Sequence, residues 1–260
     1  MTKRNTAQRR HAILAYVNAE GEVSVETLAQ RFDFSEVTIR KDLATLEKSG
    51  LLLRRHGGAV PLPVELLDGT LKVSAAKRAI AAAAAQRLPE HSRIIIDSGT
   101  TTSAMIPELD GKTGLVVMTN SLAVANALHA LEREPILLMT GGTWDPHSES
   151  FQGQVAEAVL RRYDFDQLFI GADGIDLERG TTTFNELLGL SRVMAEVARE
   201  VVVLVEADKI GRRIPNLELP WGSIDTLITD HRLEPAQRQA IEAHAVEVVT
   251  VTVDESESRR

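Results

Sequence analysis

Two sets of residues in this 260-residue chain have the types and spacing for recognition chemistry. Thr38, Arg40, Lys41 and Thr45 stand within one short stretch, Ser35 to Ser49. Cations and short hydroxyls in that pattern suit the phosphates and base edges of a nucleic acid. The second set is a series of small, hydroxylic and acidic clusters: Asp97-Ser98-Gly99-Thr100-Thr101-Thr102, Thr119-Asn120-Ser121, Thr140-Gly141-Gly142-Thr143, Gly171-Ala172-Asp173-Gly174 and Glu206-Ala207-Asp208-Lys209. Gly99 permits close backbone approach, and amides opening a helix are a ready anion site, with the hydroxyls of Ser98, Thr100 and Thr101 as further donors. Lys209 offers a mobile point charge for phosphate, while Asp97, Asn120 and Asp173 suit sugar hydroxyls. Ser121, Gly141 and Gly142 join them as candidate ligand contacts, with Trp144 as a candidate floor.

The elements that must carry the first set are short helices. Ser35 is a good N-cap, and Ile39, Leu43 and Leu46 then fall on one apolar face. Upstream, Ser24 caps a helix carrying Val25, Leu28 and Ala29, and Arg31 to Phe34 leaves only a tight turn between the two. This reads as a helix-turn-helix, with Ser24 and Ser35 as further DNA-side candidates. Leu51 to Arg55 and Ala59-Val60 flank Gly57-Gly58, a hairpin signal. Arg54, Arg55 and His56 would decorate that wing and touch the sugar-phosphate backbone. An opening helix from about Gln8 to Ala19 would turn Ile13, Leu14 and Val17 inward. Asp42 suits pairing with a nearby Arg or Lys. Residues 1–60 hold ten Lys/Arg against seven Asp/Glu, a net +3 in a chain of −8, so −11 is left for the rest.

After Val60, Pro61-Leu62-Pro63 opens a linker expected to run over 61–74. From residue 75 the texture changes to apolar runs alternating with helical patterns. Strands are predicted at Arg93–Asp97, Leu115–Thr119, Ile136–Met139, Gln167–Ile170, Val201–Val205, Thr226–Thr229 and Val246–Val251. Helices are predicted at Ala75–Leu88, Leu122–Leu131, Gln154–Arg161, Leu187–Arg199 and Pro235–His244. Strands apolar on both faces, alternating with helices, argue a doubly covered, mostly parallel α/β domain over 75–253. In such sheets ligands bind beyond the carboxyl ends of the strands, where the second set of residues falls. Residues 254–260 read as a polar, frayed tail.

Composition narrows the classes. Hydrophobic content of 43% and charged content of 25% are those of an ordinary globular chain. No apolar run approaches the ~20 residues a bilayer span needs, and MTKRNTAQRR lacks the apolar core of a secretory signal. With no cysteine there is neither disulfide nor thiolate chemistry, and seven scattered His lack ligand spacing. The expectation is a cytoplasmic protein without metal or cofactor.

The spacing Arg9-x3-Ile13-x3-Val17, followed by Ser35-x2-Thr38-Ile39-Arg40-Lys41-Asp42-Leu43-x2-Leu46-x3-Gly50, resembles the amino-terminal signature of the DeoR family of bacterial repressors. Asp97-Ser98-Gly99-Thr100-Thr101, Thr119-Asn120-Ser121, Gly141-Gly142, Gly171-x-Asp173-Gly174 and Asp208-Lys209 resemble the sensor domain of the same family. The resemblance implies a winged helix-turn-helix over 1–60, joined to a sensor shaped like sugar-phosphate isomerases. It implies operator DNA and a phosphorylated sugar or polyol as partners, repression of a sugar or polyol catabolic operon, and a homo-oligomer. Met118 to Leu122, Gly174 to Leu177 and Thr182 to Glu186 look closest to the glucitol branch, which implies sorbitol 6-phosphate. The competing class is a sugar-phosphate isomerase or deaminase with a DNA-binding head, for which Asp173, Asp176 and Glu186 are available carboxylates. A regulator that consumed its inducer would erase its signal, so binding without turnover is expected.

Overall fold

The computed structural model describes residues 9–10, 12–14, 16–17, 20–21, 23–48, 52–55, 57–61, 73–146, 148–183, 185, 187–212, 214 and 216–253. Expectations placed on Ser49, His56, Phe184, Glu186 and the tail lie outside them, as does most of the expected linker. The chain divides into two compact units, residues 1–71 and 72–260.

In the first unit, helical residues at 9–10, 12–14 and 16–17 precede β1 (Val23–Ser24), α1 (Val25–Phe32), α2 (Glu36–Lys48), β2 (Leu52–Arg55) and β3 (Gly58–Pro61). The Ser24 hydroxyl accepts from the amide of Thr27 and starts α1; Asp33 ends it in the left-handed conformation, its own amide donating to Ala29. Ser35 does the same work for α2, accepting from the amide of Thr38 at 3.3 Å. Ile13, Val17, Leu28, Ile39, Leu43, Leu46 and Leu52 close into one buried core. Burying each such side chain stabilises by about 1.5–3 kcal/mol, before the entropy of ordering is set against it. The three strands form an antiparallel sheet in the order β1-β3-β2. Gly58 is needed there, because a Cβ on it would stand 2.5 Å from the carbonyl oxygen of Val23. A helix-turn-helix backed by a hairpin wing is thus in place. Pro61, expected to open the linker, pairs with Leu52 as the last residue of the wing.

The second unit begins with α3 (Ala75–Gln86), capped by Ser74, which accepts from the amide of Lys77. Then come β4 (Arg93–Ile96), α4 (Thr100–Ser103), β5 (Val116–Thr119), α5 (Leu122–His129) and β6 (Ile136–Met139). A hairpin, β7 (Thr143–Asp145) and β8 (Ser150–Gln152), leads to α6 (Gln154–Leu160) and β9 (Phe165–Gly171). β10 (Gly174–Asp176), β11 (Gly180–Thr183), α7 (Gly189–Glu196), β12 (Ala198–Leu204), β13 (Asn216–Pro220), β14 (Thr226–Asp230), α8 (Pro235–Glu242) and β15 (Glu247–Val251) complete it.

Seven strands form one wholly parallel sheet in the order β15-β14-β12-β9-β4-β5-β6. Alternation along each strand feeds two cores. Ile94 and Ile96 pack with α3 and α5 residues such as Ile80, Val124 and Leu128, while Ile95 packs with α6 and α7 through Leu160, Val193 and Met194. The doubly covered sheet follows from apolar residues on both faces. Two features were not anticipated. β10, β11 and β13 form a second, antiparallel sheet, and β7 pairs with β8. The helix expected over Leu187–Arg199 is shorter, since Ala198 and Arg199 already pair in β12.

Candidate functional site

The outward face of α2 is the candidate nucleic-acid surface. Its buried stripe is Ile39, Leu43 and Leu46; at 3.6 residues per turn the opposite side carries Val37, Lys41 and Ala44, flanked by Arg40 on one side and by Thr38 and Thr45 on the other. Lys41 and Arg40 are exposed, and Arg40 lies 2.7 Å from Glu36 one turn back. Val37, which the sequence reading passed over, is 60% exposed. Thr45 donates its hydroxyl to the carbonyl of Lys41, and the hydroxyls of Thr38 and Ser35 meet at 2.9 Å. The hydroxyls of Ser24 and Ser35 already cap helices, which leaves them a positioning role. Arg54 sits on the wing, its backbone amide and guanidinium both directed at Glu47. Arg55 pairs with Gly58 at the wing's tip.

Asp42 holds this assembly from behind. It is fully buried and accepts from the Nε atoms of Arg9 at 2.5 Å and Arg10 at 2.8 Å. Arg9 also lies over the ring of Phe34, 4.4 Å from its centre. Two arginines from the opening helix therefore neutralise one carboxylate on the back of α2, as the sequence suggested.

In the second unit, strand order selects the site. From β4 the chain winds outward through β5 to β6, then returns to β9 on the other side of β4 and continues to β12, β14 and β15. The direction reverses between β4 and β9, and at such a switch point the loops diverge and leave a crevice. The residues at its two lips are Asp97-Ser98-Gly99 and Gly171-Ala172-Asp173. The amide of Asp97 still bonds to the carbonyl of Phe169 of β9, so Asp97 stands at the end of the β4–β9 ladder. Thr100 and Thr101 head α4, where first-turn amides have no intrahelical partner. Lys209 reaches in from the end of β12, its Nζ 3.3 Å from the carbonyl of Ala172.

Several expected contacts are spoken for. Asn120 is buried and bridges the β4 loop, donating to Asp97 at 2.8 Å and accepting from the amide of Ser98 at 3.0 Å. It shapes the cradle, and the Ser98 amide is consumed in doing so. Ser121 is buried and caps α5 through the amide of Val124. Gly141 and Gly142 follow edge strand β6, two strands from the crevice. A Cβ on Gly142 would come within 2.6 Å of the carbonyl of Gln152, which explains that glycine by packing. Trp144 packs edge-on against Phe151 of the hairpin. Trp221 donates to the carbonyl of Leu177 and stacks on His244.

One further candidate, near Asp97 and Asp173, was not singled out from the sequence. Glu218, on β13, accepts from the hydroxyls of Ser191 at 2.8 Å and Thr181 at 3.5 Å. It feels the charges of Asp97 and Asp173. Burial, with those two like charges adding, pushes its carboxyl up to about 8, against the lowering effect of Ser191 and Thr181. Burial also raises Asp97 to about 6, opposed by its bonds from Asn120 and Ser98. Asp173 accepts from Thr183 at 2.7 Å. At neutral pH Glu218 is thus held protonated and Asp97 ionised, a pair that can both donate to and accept from hydroxyls. The available signal was Leu217-Glu218-Leu219, a lone acid alternating with apolar residues between two prolines. Among the described residues no group of His, Asp or Glu could hold a metal ion, and no helix is long and apolar enough to cross a membrane.

A model of the DeoR-like helix-turn-helix domain matches residues 9–62, and a model of the DeoR C-terminal sensor domain matches residues 72–231. A relative from Escherichia coli O157:H7, provisionally named the aga operon transcriptional repressor, is 38% identical over 95% of this chain and 94% of its own. The glycerol-3-phosphate regulon repressor of Escherichia coli K12 is 31% identical over 93% of this chain and 97% of its own. Among solved structures, ribose 5-phosphate isomerase A from Methanocaldococcus jannaschii aligns with a TM-score of 0.37 at 19% identity, over 52% of this chain and 53% of that one. With both halves matched in order, the chain belongs to the DeoR family of transcriptional regulators, a helix-turn-helix domain followed by the family's sensor domain.

Proposed function

We propose that the protein represses a sugar or polyol catabolic operon from the cytoplasm, and that a phosphorylated sugar or polyol bound at the switch point relieves the repression. The observation that carries this reading is the reversal of strand order between β4 and β9, with the start of α4 just after β4, Lys209 bonded to the carbonyl of Ala172 just after β9, and the raised carboxyls of Asp97 and Glu218. Phosphate goes to the backbone of Gly99 to Thr101, with the hydroxyls of Ser98, Thr100 and Thr101 and the charge of Lys209. Asp97, Asp173 and Glu218 take sugar hydroxyls. On the DNA side Thr38, Arg40, Lys41 and Thr45 meet base edges and phosphates, and Arg54 and Arg55 meet the backbone. One recognition helix reads only a few base pairs, so the repressor acts as a homo-oligomer, a dimer or tetramer.

A relative named for a glycerol-3-phosphate regulon supports a phosphorylated polyol as the ligand class. Sorbitol 6-phosphate is the member that the Thr119-Asn120-Ser121 and Gly174-Ile175-Asp176 segments favour. Calorimetric titration of the full chain with sorbitol, sorbitol 6-phosphate, fructose 6-phosphate and glycerol 3-phosphate tests this. Tightest binding by unphosphorylated sorbitol overturns the phosphate assignment; preference for another phosphate ester overturns only the sorbitol branch. Effector and operator must also weaken each other by one common factor, since the coupling is reciprocal.

The elevated carboxyls favour a second reading, a sugar-phosphate isomerase with a DNA-binding head, because a base and an acid poised near neutrality are what proton transfer next to a carbonyl requires. Following the same esters by NMR with the protein present separates the two: conversion supports the enzyme, unchanged spectra with measurable binding support the repressor.

A further inference from the structure

The outward face of α2 carries one large, exposed apolar residue that phosphate chemistry does not account for. Val37 is the second residue of the helix and lies diametrically opposite the core stripe of Ile39, Leu43 and Leu46. It is 60% exposed, among neighbours that are polar or charged: Glu36, Thr38, Arg40 and Lys41. Among the described residues nothing requires an apolar group there, since the core closes without it. In a helix-turn-helix the first residues of the second helix are the ones that reach base edges, and in the major groove the distinctive apolar mark is the C5-methyl of thymine. Lys41 follows Val37 one turn later on the same line, so a phosphate or guanine contact by Lys41 would seat Val37 against the floor of the groove.

We propose that Val37 is a specificity-determining residue that reads a thymine methyl within the operator. The inference rests on the operator-binding reading of α2 and adds to it a named base and a named contact. The side chain is branched at Cβ, and therefore stiff in a helix, which presents its methyls with little loss of rotamer freedom on binding.

The test begins by selecting tight-binding duplexes from a random pool with the full-length protein. Each thymine of the selected site is then replaced, one at a time, by deoxyuridine, which removes the C5-methyl and nothing else. Affinities are measured for the parent protein and for Val37→Ala, a substitution on an exposed helical position that leaves the core untouched. The expected result is a loss of about fourfold at one thymine for the parent protein, the worth of one buried methyl, and no loss at that thymine for the variant. If every deoxyuridine is neutral for the parent protein, or if the sensitive position costs the parent and the variant equally, Val37 does not read the methyl. Failure to select any preferred sequence would overturn both this proposal and the operator reading beneath it. Tight, sequence-specific binding indifferent to thymine methyls overturns the proposal alone.

Discussion

Glu218 gives a pH dependence whose sign and size can be worked out beforehand. Its carboxyl titrates near 4.5 in an open chain and near 8 in the fold. The folded state therefore holds a proton that the unfolded state has lost, and stability falls as pH rises from about 4.5 toward 8. At pH 7 the difference amounts to roughly 2.5 pH units, or about 3 kcal/mol at 1.36 kcal/mol per unit. Glu218→Gln keeps the shape and the acceptor for Ser191 but cannot ionise. Its stability relative to the parent protein should be near zero at pH 4.5 and grow to about 3 kcal/mol in its favour by pH 7. Urea denaturation followed by tryptophan fluorescence reads this cleanly, because the chain's two tryptophans, Trp144 and Trp221, both lie in the second unit. A constant offset between the two proteins from pH 5 to 8 would refute the reasoning. It would mean that water or a relaxed Glu218 supplies the solvation that burial is taken to remove.

Three other outcomes are expected. Arg40→Ala should cost about 1–3 kcal/mol on the operator and little on random duplex, whereas Arg54→Ala should weaken both alike and reduce the salt slope by about one; mobility shifts across a salt series distinguish them. Lys209→Ala should lower affinity for a phosphorylated effector by about 10- to 100-fold in calorimetry, the range for a hydrogen bond to a charged group, while leaving a bare polyol unaffected. Asp42→Ala leaves Arg9 and Arg10 without their shared carboxylate and should destabilise the first unit by about 3–5 kcal/mol, seen as an early loss of helical circular dichroism.

The parallel sheet was legible because its strands are apolar on both faces, and Ile94-Ile95-Ile96 needs partners above and below. The paired role of Asp42 was legible because the unit is rich in arginine and lysine, so a carboxylate on its helix has a cation within reach. The order of the strands was not, since nothing in Arg93–Ile96 or Phe165–Gly171 announces that these two are neighbours. Without that order the five strand-end clusters looked equivalent, and Gly141, Gly142 and Ser121 were counted with the crevice. The second sheet was hidden for a different reason. Gly180-Thr181-Thr182-Thr183 is too polar to stand out as an apolar run, and it pairs on one side with β10 and on the other with β13, whose Asn216 lies 33 residues beyond its partner Thr183. Glu218 was lost with it.

The reversal between β4 and β9 has a consequence for divergence. A pocket carved by side chains disappears when they change, but this opening is created by the route of the backbone, and it persists as long as the strands join in that order. On the proposed reading, replacements at Ser98, Asp173, Lys209 or Glu218 therefore alter which molecule is held while the switch point itself survives. The sheet beneath, packed on both faces, absorbs none of that variation. If the effector sits there as proposed, sensing is a trait that can drift from one metabolite to another by a few rim substitutions, with no refolding of the scaffold between them.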